Sequence, residues 1–400
     1  CIHGMGGVQT NAHVTSPIDK CPEVNVGDTV GVWEPEPSLK DTNPDCIGYF
    51  LDTKVDTEGK VSHNPNFDTV IQSFPNLTGI NAFKVLKTYL ESRGYTDGKD
   101  ILGVNYDWIL YPLGTPDLFS QLKQHIEASH KESGMKVVLI GHSLGTHVLR
   151  NFVTHAMTTD WVKEHIDGVI FNAPAFLGCG GVFDYIMKGT FSSLKPSQYL
   201  AEVVQKMPAV QALFDNYAAF SDTVVFKDYP GVGDVPASGV KDFLVKVGKF
   251  STDAQEIFKQ IESSLKETPE KPPVRAMVLY NSGIPTVVGY SGENFADING
   301  GGDGVCHSGG PEYVCRTWEG VECVDWNRND SVNWGHTPML HREEALDKIY
   351  KFLTLNNENE PSSSDDKEIK TLTIVLVSLS AVTAVLLVVL IVLLVFYKKH

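Results

Sequence analysis

The sequence predicts an α/β fold, a parallel sheet covered by helices on both faces, followed at its C-terminal end by one transmembrane helix. Three observations predict it. Short apolar runs alternate with amphipathic ones between residues 80 and 172. A serine set between glycines, Gly141-His142-Ser143-Leu144-Gly145, separates one such apolar run from the amphipathic stretch after it. Residues 371–397 form an uncharged stretch dominated by Leu and Val. Continuous β-branched runs, as opposed to alternating ones, mark strands buried on both faces, and those belong to parallel sheets.

Taken in order, Cys1-Ile2-His3-Gly4 reads as the end of a strand, with upstream residues and any signal peptide expected to be missing. Ile80–Arg93 reads as a helix presenting Ala82, Val85, Leu86, Tyr89 and Leu90 on one face. Ile101–Val104 is a short buried strand, Leu118–Ser133 a helix, and Lys136–Ile140 a β-branched strand. Helix follows from Gly145 and strand again at Gly168–Phe171. The pattern breaks over residues 174–273, where amphipathic stretches such as Leu200–Phe214 and Val240–Leu265 intervene before the strand Ala276–Tyr280. That insertion is expected to form a cap or lid, because sites of such sheets lie at strand carboxyl ends, where insertions gather.

An ectodomain of residues 1–355 closes with the amphipathic helix Glu343–Leu355, and residues 356–370 are polar and unpatterned, a stalk. Residues 371–397 are long enough to cross a hydrocarbon core of about 30 Å. Lys398 and Lys399, in the tail 398–400, place that tail in the cytosol. The expected topology is single-pass type I, with everything before residue 371 on the exoplasmic side, at the cell surface or in a secretory or endolysosomal lumen.

Four hundred residues with 42% apolar content suffice for one large core or two ordinary domains. A net charge of −16 argues against nucleic acid as a partner. Of seven cysteines, Cys21 and Cys46 enclose a Pro-rich, Trp-containing segment and are expected to pair in an oxidising lumen; one further pair is expected within Cys306, Cys315 and Cys323. Asn76-Leu77-Thr78 and Asn329-Asp330-Ser331 match the glycosylation acceptor pattern. His307 and its neighbouring cysteines are zinc-type donors, but their spacing lacks a paired CxxC arrangement. No metal and no cofactor is expected.

Gly141-His142-Ser143-Leu144-Gly145 follows a predicted strand and opens a predicted helix, the context in which Gly-x-Ser-x-Gly marks the nucleophile of an α/β-hydrolase fold. A serine hydroxyl is a poor nucleophile, so a histidine must take its proton and a carboxylate must orient that histidine. In this fold the order is Ser, Asp, His. Asp303, in the glycine-dense loop Gly300–Val305, is the candidate acid, with Asp297 and Asp325 as alternatives. His336, on a loop leading into the last helix, is the candidate base. His341 reads as a surface or capping residue, and His307 lies too near Asp303 in sequence to be oriented by it. The tetrahedral intermediate needs two backbone NH donors. Leu144, after the nucleophile, supplies one, and Met5 in His3-Gly4-Met5-Gly6-Gly7 is the candidate for the other.

These residues resemble the lecithin:cholesterol acyltransferase family, which includes lysosomal group XV phospholipase A2 and the phospholipid:diacylglycerol acyltransferases. The likeness runs through Gly4-Met5-Gly6-Gly7, the Cys21–Cys46 loop, Tyr106-Asp107-Trp108, the Gly-His-Ser-Leu-Gly turn, Asn172-Ala173-Pro174, Gly302-Asp303-Gly304-Val305, and His336 followed by Met339-Leu340. It implies Ser143, Asp303 and His336 as a triad, Met5 and Leu144 as oxyanion hole, and Trp33 in the disulfide loop as a contact to the phospholipid membrane. The chemistry it implies removes a fatty acyl chain from a glycerophospholipid through an acyl-serine, with water, a sterol or diacylglycerol as acceptor. Ile109 stands where the family usually has Arg, and His3-Gly4 where it usually has Pro-Gly. Two other functions fit less of the pattern: an inactive lipid-binding receptor or adhesion ectodomain, which would not need Ser, Asp and His in that order, and an esterase acting on non-lipid substrates.

Overall fold

Four parallel strands, in spatial order Glu322–Asp325, Arg275–Tyr280, Ile166–Asn172 and Val137–His142, form the central sheet of a mixed α/β architecture. Val169, Ile170, Phe171, Met277, Val278 and Leu279 are all 0% exposed, so side chains pointing to either face are covered. Beside Val137–His142 the sheet is continued by Ile2, which bridges in parallel to both Gly141 and Val104. Ile2 N donates to Ile140 O at 2.7 Å, and His142 N donates to Ile2 O at 3.0 Å.

The computed structural model describes residues 1–33, 43–71, 81–191 and 194–355. The predicted stalk, transmembrane helix and tail (356–400), Asn76, and residues 34–42 of the Cys21–Cys46 loop lie outside the described residues. Among the described residues no helix is long and apolar enough to cross a membrane. The chain divides into two compact units, Cys1–Ile349 and Tyr350–His400. Of the second, residues 350–355 are described, and 350–354 belong to the helix Glu343–Thr354.

Local chemistry sets the element ends. Leu118–Ser133 stops where Gly134 takes a left-handed φ of 69° and its NH returns to His130 O, a geometry that glycine adopts without steric cost. Ser197 and Ser251 cap the helices Gln198–Val204 and Thr252–Lys266 by accepting from the backbone NH three residues on. The first predicted helix is shorter than its apolar pattern, Lys84–Glu91 after a 3-10 turn Asn81–Phe83; Leu86 and Leu90 are buried while Val85 is 36% exposed. The predicted strand 101–104 is interrupted: Ile101 N is drawn back to Thr96 O and Gly98 N to Ile101 O in a local turn, while Val104 N donates to Cys1 O at 2.8 Å beside the bridge to Ile2.

The stretch from 174 to 273 holds helices and also two strands, Val224–Tyr229 and Gly233–Pro236. These join Ile284–Ser291 and Ala296–Gly302 in a second four-stranded sheet. Within Val224–Tyr229 only Val225 and Phe226 are buried, too few residues for a period-two pattern to stand out. Phe226 packs against Phe183 and Phe243 of the same stretch and against Tyr290 beyond it.

Disulfides join Cys21 to Cys46 and Cys315 to Cys323. The third cysteine of the late cluster, Cys306, pairs with Cys179, 127 residues earlier. Cross-linking restricts the unfolded chain more for longer loops. Replacing Cys179 and Cys306 together by Ala is therefore expected to lower unfolding free energy by about 5 kcal/mol, against about 2.5 kcal/mol for the short Cys315–Cys323 loop. Denaturant unfolding of the two double variants measures the order.

Candidate active site

Ser143 lies at the junction of the strand Val137–His142 and the helix Leu144–Asn151, with φ 56° and ψ −127°. A non-glycine residue holds such a conformation only where its surroundings over-determine it. The neighbours supply that constraint. A Cβ at Gly141 would stand 2.8 Å from Gly145 O, and one at Gly145 would overlap Ile2 O and His3 O. Strand, helix and the first residues of the chain thus approach to backbone distance, and the serine between them is forced outward. Ser143 N donates to Asn172 O at 3.2 Å, and Thr146 N returns to Ser143 O at 2.9 Å.

Asp303 follows directly on the strand Ala296–Gly302, in a tight turn where its N donates to Cys306 O. The glycines before it face backbone: a Cβ at Gly301 would stand 2.6 Å from Ser282 O, and one at Gly302 2.5 Å from Cys306 O. Its Oδ1 accepts from Val305 N at 3.0 Å and Cys306 N at 2.8 Å, and its Oδ2 meets His336 Nδ1 at 2.7 Å. Burial opposes ionisation of this carboxyl, but His336 and the two NH groups outweigh it, and its pKa lies below the ordinary 3.8. An ionised carboxylate only accepts, so Nδ1 of His336 carries the proton and, in the neutral ring, Nε2 presents its lone pair. Among the described residues His336 Nε2 is buried without a hydrogen-bond partner, Ser143 Oγ included. Catalytic hydrogen bonds often close only once substrate is bound.

His336 is held to the serine turn from behind. His142 Nε2 lies 3.1 Å from His336 O, and the two rings stand 5.0 Å apart. A carbonyl only accepts, so His142 donates from Nε2. Burial, followed by the proximity of His336, pushes the His142 pKa down to about 3, which keeps that ring neutral.

The Gly4-Met5-Gly6 turn passes over the serine: a Cβ at Gly4 would stand 2.5 Å from Ser143 Cβ. Leu144 opens its helix, so its NH is among the first four without an intrahelical acceptor. Trp33 donates from its indole to Gly6 O at 2.6 Å and packs edge-on against Trp108 and Phe191. It is half-buried beside the Met5 turn. The other sequence candidates stand apart. Asp297 binds Lys188, Asp325 accepts from Ser282, and His307 faces Asp215 at 3.1 Å. His341 lies in the 3-10 turn Pro338–His341. Asn329 is exposed on the segment before the helix Ser331–Trp334.

Three contacts escaped the sequence: Cys179–Cys306, Asp215–His307 and the His142 bond to His336. The first had a signal, since a pair drawn from three late cysteines leaves one over, and only Cys1 and Cys179 remained to take it. The other two join residues remote in sequence and had none.

The lecithin:cholesterol acyltransferase family model matches residues 67–226, which include the serine turn and end before Asp303. A lysosomal phospholipase A and acyltransferase of Bos taurus is 27% identical over 307 residues, 74% of this chain and 74% of that one. The phosphatidylcholine-sterol acyltransferase of Gallus gallus is 25% identical over 275 residues, 66% of this chain and 63% of that one. Among solved structures, a chain of the Tle4–Tli4 complex matches with a TM-score of 0.49 at 12% identity, over 88% of this chain and 96% of that one. The class defined is a mixed α/β enzyme built on a parallel sheet. Over residues 67–226 the chain is similar to the lecithin:cholesterol acyltransferase family.

A depressed carboxyl pKa stabilises the fold at any pH above its unfolded value, and that stability is lost as pH falls through the folded value. For Asp303 the window therefore opens below 3.8. Asp303→Asn is expected to destabilise the chain by about 1–3 kcal/mol at pH 7. The gap from wild type should hold down to pH 4 and close in stronger acid, as read by urea denaturation across that range.

Proposed function

We propose that this chain is an α/β-hydrolase-fold lipid acyl hydrolase and O-acyltransferase that works through an acyl-serine at Ser143. One observation carries the proposal: His336 donates Nδ1–H to the buried Asp303 carboxylate at 2.7 Å, leaving Nε2 unpartnered, with its ring packed against His142, the residue before Ser143. The names of the relatives supply the substrate class, phospholipids and acyl acceptors.

Ser143 Oγ attacks the acyl carbonyl carbon of a glycerophospholipid while His336 Nε2 takes the hydroxyl proton. The carbonyl electron pair moves to oxygen, which the NH groups of Met5 and Leu144 receive. Collapse of that intermediate breaks the ester bond, and the leaving lysolipid alkoxide takes the proton from His336. Water or a lipid alcohol, a sterol or diacylglycerol, then attacks the acyl-serine by the same steps, losing its proton to His336 and returning it to Ser143. Asp303 is never protonated; it fixes the ring and stabilises the imidazolium. Which acceptor wins depends on water exclusion and acceptor binding, since the acyl-enzyme is common to both outcomes.

Residues 371–397 would hold this site at a membrane from the exoplasmic side. The support for that is their uncharged Leu- and Val-rich composition before Lys398 and Lys399. A relative named as lysosomal agrees with a luminal site. Trp33 and the loop it enters would meet the lipid surface, and Asn76 and Asn329 would carry glycans there.

Ser143→Ala is expected to reduce fatty-acid release from phosphatidylcholine vesicles by about 10⁴-fold or more, and to abolish labelling by a fluorophosphonate. Release persisting in that variant would overturn the assignment of the nucleophile. A wild-type chain that neither labels nor releases acyl groups, yet binds lipid, would instead favour the inactive receptor.

A further inference from the structure

Asp303 occupies a short hairpin. Gly302 bridges His307 in antiparallel fashion, and Ser308 N donates to Gly301 O at 2.9 Å. The two limbs are therefore in register on either side of the acid. One limb carries His307, whose Nε2 lies 3.1 Å from Asp215 Oδ1; the two side chains are 9% and 4% exposed. Asp215 comes from the 174–273 stretch and is itself wedged in place. A Cβ at Gly178, which has φ 122°, would stand 2.7 Å from the Asp215 Cα, and Asn216 N donates to Leu177 O at 3.0 Å. Cys179 N donates to Leu213 O at 3.0 Å, and the Cys179 side chain is bonded to Cys306, the residue before His307. Phe220 closes the edge of the imidazole with ring centroids 5.4 Å apart.

We propose that Asp215 and His307 are a positioning pair for the catalytic acid, through which the 174–273 insertion holds the hairpin that sets Asp303 against His336. The proposal rests on the assignment of Asp303 under the proposed function. It describes a second carboxylate–imidazole contact that touches no reacting atom. His307 is unfit to be the base, because its Nε2 is spent on Asp215, yet its bond fixes the geometry of the residues that do the chemistry. Misplacement of a catalytic group by about 1 Å costs on the order of 10²-fold in rate, so a looser hairpin has room to matter.

The pair also gives the hairpin a pH dependence. Burial works against a charged His307 ring, but the Asp215 carboxylate, with Asp303 and Glu312 adding to it, more than offsets burial, and the pKa lies above the ordinary 6.5. Ser308 Oγ occupies Glu312 at 2.7 Å. A raised histidine pKa stabilises fully below the unfolded value and loses that contribution as pH rises through the folded value. The charged anchor is thus complete in acid and weakens toward alkaline pH.

The test uses the full chain. Asp215→Ala is expected to lower kcat about tenfold with KM within twofold, and to weaken or abolish the downfield proton resonance of His336 Nδ1–H. His307→Gln keeps a donor for Asp215 without a titration. It should recover most of kcat but lose the alkaline decline in kcat that starts above pH 6.5 in wild type. Intact kcat and an intact His336 resonance in Asp215→Ala, or an unchanged pH profile in His307→Gln, would overturn the proposal. If Asp215→Ala does not fold, as judged by circular dichroism, the His307→Gln resonance and profile decide alone. The resonance is read without substrate, so it tests the pair even where the lipid assignment fails; that failure is seen separately as a wild-type chain inert to fluorophosphonate.

Discussion

The closest backbone approach in the site sets everything else there. Ile2 lies in the sheet edge against Gly141, and the helix Leu144–Asn151 starts so near Ile2 and His3 that position 145 has no room for a Cβ. Chain passing between strand and helix at that distance has to turn within one residue. The turn costs Ser143 a conformation that L-residues avoid, of order 1–3 kcal/mol, offset by the buried sheet and helix that enforce it. From this one constraint follow the outward projection of the hydroxyl, the helix start at Leu144 behind it, and the seat of the Gly4 turn directly above.

A second layer of order is electrostatic. The carboxyl of Asp303 is buried, which by itself favours the neutral acid, and its two backbone NH donors plus His336 reverse that balance. The same donors that keep it ionised also fix its orientation, because Val305 N and Cys306 N hold Oδ1 and leave Oδ2 to the imidazole. His142, neutral through burial, steers from the other side by holding the backbone of His336 and adding no competing charge. One histidine is thus oriented by a carboxylate and another kept neutral by its burial, with ring centroids 5.0 Å apart.

What was legible in the sequence is what local pattern encodes. The runs around Val138, Ile170 and Val278 announced a sheet buried on both faces, and the glycines at 141 and 145 announced the turn, because a missing side chain at a fixed spacing is itself a signal. Asp303 and His336 were singled out through the order of roles along the chain, and the fold brings them to 2.7 Å. Contacts between distant segments left no periodic trace. Asp215 reads as one acidic residue among many until Gly178 and His307 are seen on either side of it, and Phe226 reads as part of a helical insertion until Tyr290 is seen to share its sheet. The 101–104 stretch is split: Ile101 is taken up by a local turn, while Val104 pairs with Cys1 and Ile2 at the sheet edge.

The bond between Cys179 and Cys306 has a consequence for the order in which the molecule is made. A chain synthesised from its N-terminus can close Cys21 to Cys46 early, across 25 residues, whereas Cys179 has no native partner until 127 further residues have emerged. Through that interval Cys21 and Cys46 are competing thiols unless they have already paired, so closure of the early loop favours the native pairing. The hairpin that carries Asp303 is therefore among the last parts to be locked, long after the Gly141–Gly145 turn has emerged.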